Sequence, residues 1–372
     1  MARVTPAIRP GDAGSPGGGD TAVRPMRPQA HAAGGSRNCG TCDNVSMGNV
    51  RSAETLTAPA RLARRQCADA VLMMRPACFG YNPETAASNT FQHPGGPADA
   101  AGSARAEFDA FVGALRGEGV QVCVVDDTPD PPKPDAVFPN NWVSFHADGT
   151  VVLYPMQARS RRLERRREVV EATVGATGFR VSRVLDLSAH EREGRYLEGT
   201  GSLVLDHPQR LAYVCRSSRS DPHVLELWSR ELGYEPIVFD AADGAGRAIY
   251  HTNVLLSLGE RCALVGLEAI APLDRDRVLE RLRASGREII ALDRGQLEHF
   301  AANVLELATW DEALGEYHVL VLSETARHAL PPETFARVAA CADELLVVPV
   351  PTIERLGGGS VRCMLAEVFR PA

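Results

Sequence analysis

From Val71 onward, short apolar runs alternate with polar, glycine-bearing turns, and the alternation repeats. The first run, AVLMMRPACFGYN, reads as a buried strand because its apolar residues are continuous and bounded by turn signals. NWVSFHADGTVVLYPM reads as a hairpin turned at Asp148-Gly149, a pair that tolerates the positive φ of a tight turn. A charged helix to about Val174 follows, then the strand RVSRVLDLS. The same succession recurs with the hairpin GSLVLDHPQRLAYVCRS, a helix from Pro222 to Leu232 and the strand YEPIVFDA. It recurs again with TNVLLSLGERCALVG, turned at Gly259-Glu260, a helix from Leu273 to Ala284 and REIIALD. A fourth unit combines NVLELATWDEALGEYHVLVLS, a helix after Pro332 and ELLVVPV. The C-terminal GSVRCMLAEVF begins a fifth, which AVLMMRPA, a helix near Arg105 to Arg116 and VQVCVVDD complete from the other end of the chain.

The period is roughly 50–60 residues, which is the self-similarity of a radial or stacked repeat. Closure of the fifth unit by both ends of the chain predicts a ring, with no open sheet edge at its seam. The residues just ahead of each hairpin then share a phase: Asn140 and Asn141 in FPNNWV, Glu198 in YLEGTGSL, His251 in IYHTNVLL, Asn303 in FAANVLEL and Cys363 in GSVRCMLA. Equal phase implies a common depth near the axis. An acid, a histidine and a cysteine far apart in sequence are therefore expected to converge.

Composition narrows the classes. With 372 residues, 44% hydrophobic and 23% charged, the chain can bury a large core. A net charge of −7, without basic blocks or interleaved aromatics, argues against a nucleic acid or a membrane surface as partner. The most basic stretch, RSRRLERRRE, mixes in glutamates at helical spacing and reads as a solvated helix face. No apolar run approaches the ~20 residues of a membrane span, and the N-terminus lacks a signal-peptide pattern. Nine scattered cysteines read as reduced thiols of a cytoplasmic protein. Residues 1–66 are rich in Gly, Pro and Ala and are expected to be a disordered arm, with Met47 an alternative start; residues 67–372 are expected to be a single domain. Cys39 and Cys42 in the arm have no second cysteine or histidine pair nearby, so neither zinc nor a redox motif is expected there.

Candidate chemistry centres on Cys363. It shares period-two phase with Val361 and Leu365, as a core cysteine would. The preceding Gly357-Gly358-Gly359 permits positive φ and close approach of backbone to a ligand, which favours a nucleophile. A nucleophilic thiol needs a partner base, and His251 is available. Glu198, ahead of Gly199-Thr200-Gly201, is either a turn residue or a binding group at a strand mouth. Cys123 and Cys215 lie within strands; Cys78 is the remaining rival. The ten histidines form no His-x-x-x-His pair, so no metal is expected. No glycine patch has the strand–turn–helix context of a dinucleotide loop, so no cofactor is expected either.

Together these motifs resemble the guanidino-group-modifying superfamily of arginine deiminases, dimethylarginine dimethylaminohydrolases and amidinotransferases. FPNNWVSFHADGTVVLYPM, YLEGTGSLVLDH, YHTN and GGGSVRCMLAEVF are most similar to its arginine-deiminase-related citrulline utilisation hydrolase branch. The resemblance implies a five-bladed, pseudo-symmetric α/β propeller of ββαβ repeats with a central active site. It implies Cys363 as nucleophile, His251 as general acid/base and Glu198 as the acid. It also marks departures: Asn141 stands where deiminases commonly carry a substrate-binding aspartate, and Asn253 replaces the acid two residues after the histidine. A buried guanidinium favours carboxylates, whereas amides, offering donor and acceptor, suit a neutral ureido group.

The expected function is thus cysteine-dependent hydrolysis of a C–N bond in a ureido or amidino amino acid, citrulline or an arginine derivative, through a covalent S-linked intermediate. In that scheme His251 as imidazolium favours the Cys363 thiolate, and Glu198 fixes the substrate's nitrogens. An amidinotransferase would use the same three residues, and a propeller-shaped binding protein would need none of them. Asn140, Asn141 and Asn253 are the expected substrate-binding residues. Arg75, with Asn82, Asn89 and Gln92, lies on a loop suited to reading the substrate's carboxylate end. No oligomeric state is legible.

Overall fold

The computed structural model describes residues 3–6, 65–313 and 315–370. Its strands are β1 (Arg3–Pro6), β2 (Ala70–Arg75), β3 (Gln121–Asp126), β4 (Val143–Phe145), β5 (Thr150–Leu153), β6 (Arg183–Asp186), β7 (Val204–Asp206) and β8 (Leu211–Cys215). They continue as β9 (Glu235–Phe239), β10 (Leu256–Leu258), β11 (Cys262–Val265), β12 (Glu288–Ala291), β13 (Leu305–Asp311), β14 (Gly315–Ser323), β15 (Glu344–Val348) and β16 (Ala366–Val368).

Each expected unit forms. An antiparallel hairpin is followed by a helix and then by a strand parallel to the second hairpin strand: β4-β5-β6, β7-β8-β9, β10-β11-β12 and β13-β14-β15. In the fifth, β16 from the C-terminal end pairs antiparallel with β2, and β2 pairs parallel with β3 across the helix Ala100–Gly117. One further parallel pair, Val368 with Phe145, joins this unit to the first in a six-stranded sheet. The two ends of the folded region therefore share one sheet.

The helices cover the sheets through apolar stripes. Ala100–Gly117 buries Ala104, Phe108, Phe111, Val112 and Leu115, a helical spacing on one face. Each buried phenylalanine contributes on the order of 2–3 kcal/mol. Pro222–Leu232 starts on an Asp221 cap, ends at Gly233 in the left-handed region, and buries Val224, Leu225, Trp228 and Leu232.

Two expectations change. The basic stretch is not one solvated helix: it splits into a short turn, Arg159–Arg162, and the helix Arg167–Thr177, and Arg161 and Glu164 are buried as an ion pair. Proximity of opposite charges three residues apart lets both leave water together. The cysteines are not all reduced: Cys262 and Cys341 form a disulfide, with Cα atoms 5.8 Å apart. Within the segment expected to be a disordered arm, β1 pairs parallel with β15, and Gln66 is buried, donating to the carbonyls of Leu205 and Leu258. The rest of that segment, with Cys39 and Cys42, lies outside the described residues. No helix among the described residues is long and apolar enough to cross a membrane.

Candidate active site

A single helical turn stands ahead of four of the hairpin positions: Pro139–Asn141, Gly199–Ser202, Thr252–Val254 and Val361–Met364. Cys363 thus sits on a 3-10 turn, not at a strand position, and β16 begins only at Ala366. The turns pack on one another, Gly199–Ser202 against Pro139–Asn141 and Thr252–Val254, and Pro139–Asn141 against Val361–Met364. Glycine makes this possible. A Cβ on Gly199 would stand 2.3 Å from the Asn140 carbonyl, and one on Gly201 would stand 2.7 Å from His251 Nδ1 and 2.5 Å from Asn141 Nδ2.

Cys363, His251 and Asn141 consequently line one cavity, together with Asp135, Phe138, Arg161, Arg219, Tyr250 and Gly357–Gly359. The three glycines do not supply a loose loop. Gly357 and Gly359 lie against the Phe138 ring, where a Cβ would come within 2.7 and 3.0 Å of it, and Tyr250 donates its hydroxyl to the Gly358 carbonyl at 2.7 Å. Asn89 Nδ2 donates to the same carbonyl at 3.1 Å. The segment ahead of Cys363 is clamped.

Glu198 is wholly buried behind His251. Its Oε2 accepts from His251 Nε2 at 2.9 Å and from Arg219 Nη1 at 3.1 Å, while Oε1 accepts the Gln157 N–H at 3.0 Å. Burial alone would raise its pKa, yet the Arg219 guanidinium and the hydrogen bond from His251 hold it well below the usual carboxylate range. Both oxygens being engaged, Glu198 orients His251 rather than gripping a substrate nitrogen. The bond to Glu198 makes Nε2 the protonated nitrogen and leaves Nδ1 as the basic one. Burial pushes the His251 pKa down to about 4 despite the pull of Glu198. The resting imidazole is neutral at neutral pH, a correction to the expected imidazolium.

The arginines of the cavity are likewise committed. Arg219 also donates to Ser88 and the Thr85 carbonyl, and Arg161 donates to Glu164, to the Phe138 carbonyl and to Asn141 Oδ1 at 2.6 Å. Asp135, unforeseen from sequence, accepts through Oδ2 from Asn82 at 2.8 Å and Thr85 at 3.0 Å, while its buried Oδ1 has no partner. Burial raises the Asp135 pKa against the opposing influence of Arg161. Asn141 Nδ2 is also buried and unpartnered; Asn253 Oδ1 is unpartnered too, but Asn253, expected to bind substrate, does not line the cavity. Such orphaned groups mark a site shaped for a polar ligand.

Other expected residues fall elsewhere. Arg75 does not reach the cavity: its guanidinium forks onto Asp109 at 2.7 and 2.6 Å, drawn to the helix that crosses its own strand. Asn140 is fully buried beneath the cavity lining, with both side-chain polar atoms unpartnered. Asn82 and Gln92 serve the interior, Gln92 donating to the Leu356 carbonyl at 2.9 Å. Cys78 is half-buried against the Pro129 carbonyl and does not line the cavity. Where no metal was expected, Cys67, Glu306 and His318 have potential ligand atoms within 4.8 Å of one another; His318 Nδ1 lies 2.7 Å from Glu306 Oε1, so this pair satisfies itself. Asp135, Arg161 and Arg219 occupy loops and short turns, where periodicity carries no signal; the nearness of Asp135 to Asn140 and Asn141 is the one sequence signal that could have found it.

Residues 75–370 match the family model described as N,N dimethylarginine dimethylhydrolase, eukaryotic. No curated protein sequence matches the chain. Among solved structures, the N-terminal domain of ArgZ, an arginine dihydrolase from the ornithine-ammonia cycle in cyanobacteria, is similar as a substrate-bound cysteine-to-serine variant: TM-score 0.61, 17% identity, 81% of this chain and 98% of that one. AgrE in complex with L-arginine is similar with TM-score 0.60 and 17% identity, over 82% of this chain and 40% of AgrE. A dimethylarginine dimethylaminohydrolase carrying an S-methyl-L-thiocitrulline adduct gives TM-score 0.55 and 16% identity, over 81% and 99%. These likenesses are of fold, a mixed α/β fold similar to the propeller-like pentein superfamily. Because the family model spans most of the chain, this protein belongs to the N,N-dimethylarginine dimethylhydrolase family, within the guanidino-group-modifying superfamily of hydrolases and amidinotransferases.

Proposed function

We propose that the chain is a cysteine hydrolase cleaving a C–N bond of an amidino or ureido group on an amino-acid substrate, with the ureido group the better fit. One observation carries that preference. Arg161 holds the Asn141 amide oxygen, so Asn141 is left with its N–H for the cavity, alongside the acceptor Asp135 Oδ1. A ureido group carries one acceptor oxygen among N–H donors; a guanidinium carries donors only, and one of them would face the Asn141 N–H. A second reading, an arginine-type substrate, is favoured by Asp135, the cavity's carboxylate with an open oxygen.

In the reaction, Cys363 sulfur bonds to the central carbon as its proton passes to His251 Nδ1, and the developing oxyanion is met by the Asn141 amide N–H. Collapse breaks the C–N bond, the departing amine taking the proton from His251. Water, deprotonated by the neutral His251, then attacks the S-linked carbon, a carbonyl carbon from a ureido group and an amidino carbon from a guanidino group, releasing Cys363. From citrulline this yields ornithine and carbamate; from arginine, citrulline and ammonia. Glu198 keeps the imidazole in the needed tautomer throughout.

The test incubates the protein with citrulline, arginine, dimethylarginine and agmatine at equal concentration, reads products by mass spectrometry, and runs Cys363→Ser alongside. Ornithine from citrulline, dependent on Cys363, supports the proposal. Turnover confined to arginine or its methylated form overturns the ureido preference, and turnover only when an acceptor amine is added makes the protein a transferase.

A further inference from the structure

Asn303 has no part in the reaction as written, yet it touches the reacting atom. Its side chain is fully buried and does not line the cavity. Its Nδ2 lies 3.3 Å from Cys363 Sγ and 3.1 Å from the Asn253 carbonyl, and its Oδ1 lies 3.6 Å from the same sulfur. Asn253 Nδ2 approaches that sulfur at 3.6 Å. Positive charge to hold a thiolate is otherwise scarce here. Burial keeps the His251 pKa near 4, and Arg161 and Arg219 are bonded to Glu164 and Glu198.

We propose that Asn303, assisted by Asn253, holds the Cys363 sulfur in both of its states from outside the cavity, supplying by amide hydrogen bonding what an imidazolium supplies in a thiolate–imidazolium pair. The thiol donates S–H to Asn303 Oδ1; once the proton has gone to His251, the thiolate accepts from Asn303 Nδ2 and Asn253 Nδ2. No side chain has to move between the two states, because an amide carries a donor and an acceptor on one plane. The cavity face of the sulfur stays open to the substrate. Asn303 also anchors the turn bearing Asn253 through the backbone carbonyl, so the two amides act as one unit. This inference rests on Cys363 being the nucleophile.

The test needs no substrate. Iodoacetamide alkylation of Cys363 is followed by peptide mass spectrometry from pH 6 to pH 10 in the wild type and in Asn303→Ala, Asn303→Asp and His251→Gln variants, with thermal melts to establish folding. Loss of a hydrogen bond to a charged atom lowers the Asn303→Ala rate at pH 7 about ten-fold or more, recovered as the pH rises. Asn303→Asp, isosteric but placing a carboxylate on the sulfur, reacts more slowly still, and it carries the test if the alanine variant does not fold. His251→Gln has the smaller effect. A wild-type Cys363 that reacts readily and is unaffected by either Asn303 substitution overturns the proposal, as does a His251→Gln loss exceeding that of Asn303→Ala. A wild-type Cys363 inert at every pH would instead refute the nucleophile reading beneath it.

Discussion

Replacing Asn141 by aspartate changes what the cavity shows its substrate at one atom. In the native site Arg161 Nη1 holds Asn141 Oδ1 at 2.6 Å, leaving Nδ2 buried and unpartnered. An aspartate keeps the Arg161 contact as a charge-assisted bond and turns the second position from donor to acceptor. Against a ureido oxygen this removes a buried hydrogen bond and opposes two acceptors, a loss of about 2 kcal/mol, or roughly 30-fold in kcat/KM. Against a guanidinium it replaces opposed donors with a bond to a charged group, a gain of about 1.5–3 kcal/mol. The ratio of kcat/KM for citrulline to that for arginine should therefore fall by roughly a thousand-fold in Asn141→Asp. Steady-state assays of both substrates, with ornithine and citrulline quantified by mass spectrometry, measure it. A ratio unchanged within about three-fold, in a variant that melts like the wild type, would show that Asn141 does not read the substrate and that the donor argument is unsound.

Gly201→Ala should sharply reduce turnover with little loss of fold: the new Cβ would press on His251 Nδ1 and Asn141 Nδ2 at 2.7 and 2.5 Å. Displacing an oriented base costs on the order of a hundred-fold in kcat, against about 1–3 kcal/mol of stability for local overpacking; full activity would mean the ring can move without consequence. Histidine titration by NMR should separate His251 from His318. His251, held near 4, stays neutral through pH 5.5, while the hydrogen bond that His318 donates to the Glu306 carboxylate raises His318 above its ordinary 6.5. The signs follow by linkage: the neutral, buried His251 contributes stability that is present above pH 6.5 and lost as pH falls toward 4, whereas the His318 contribution is present below 6.5 and lost as pH rises through its folded value. A His251 resonance titrating near 6.5 would contradict the burial argument.

What the residues alone determined is the repeat and the three residues far apart in sequence that it brings to one place. Apolar alternation, Asp148-Gly149 and Gly259-Glu260 marked the hairpins because strand period and turn chemistry are local properties. Since every unit has the same element order, Cys363, His251 and Glu198 could be aligned by phase without knowing a single distance. Even so, Cys363 was aligned as a strand residue; a helical turn precedes β16, and four residues of apolar sequence do not distinguish the two. The tertiary structure decided the charges and the partners. Arg161 reads locally as a solvated cation and becomes a buried clamp on Asn141 only because the Phe138 carbonyl and Glu164 converge on it. Glu198 ceases to be a substrate ligand because Arg219 and Gln157 take its oxygens, and His251 is neutral because the packed turns exclude water from it. Asp135 and Asn303 gain their roles solely through contacts across 50 to 60 residues of chain. Hydrogen-bond partnership and desolvation depend on what lies across the fold, so no reading along the chain could assign them.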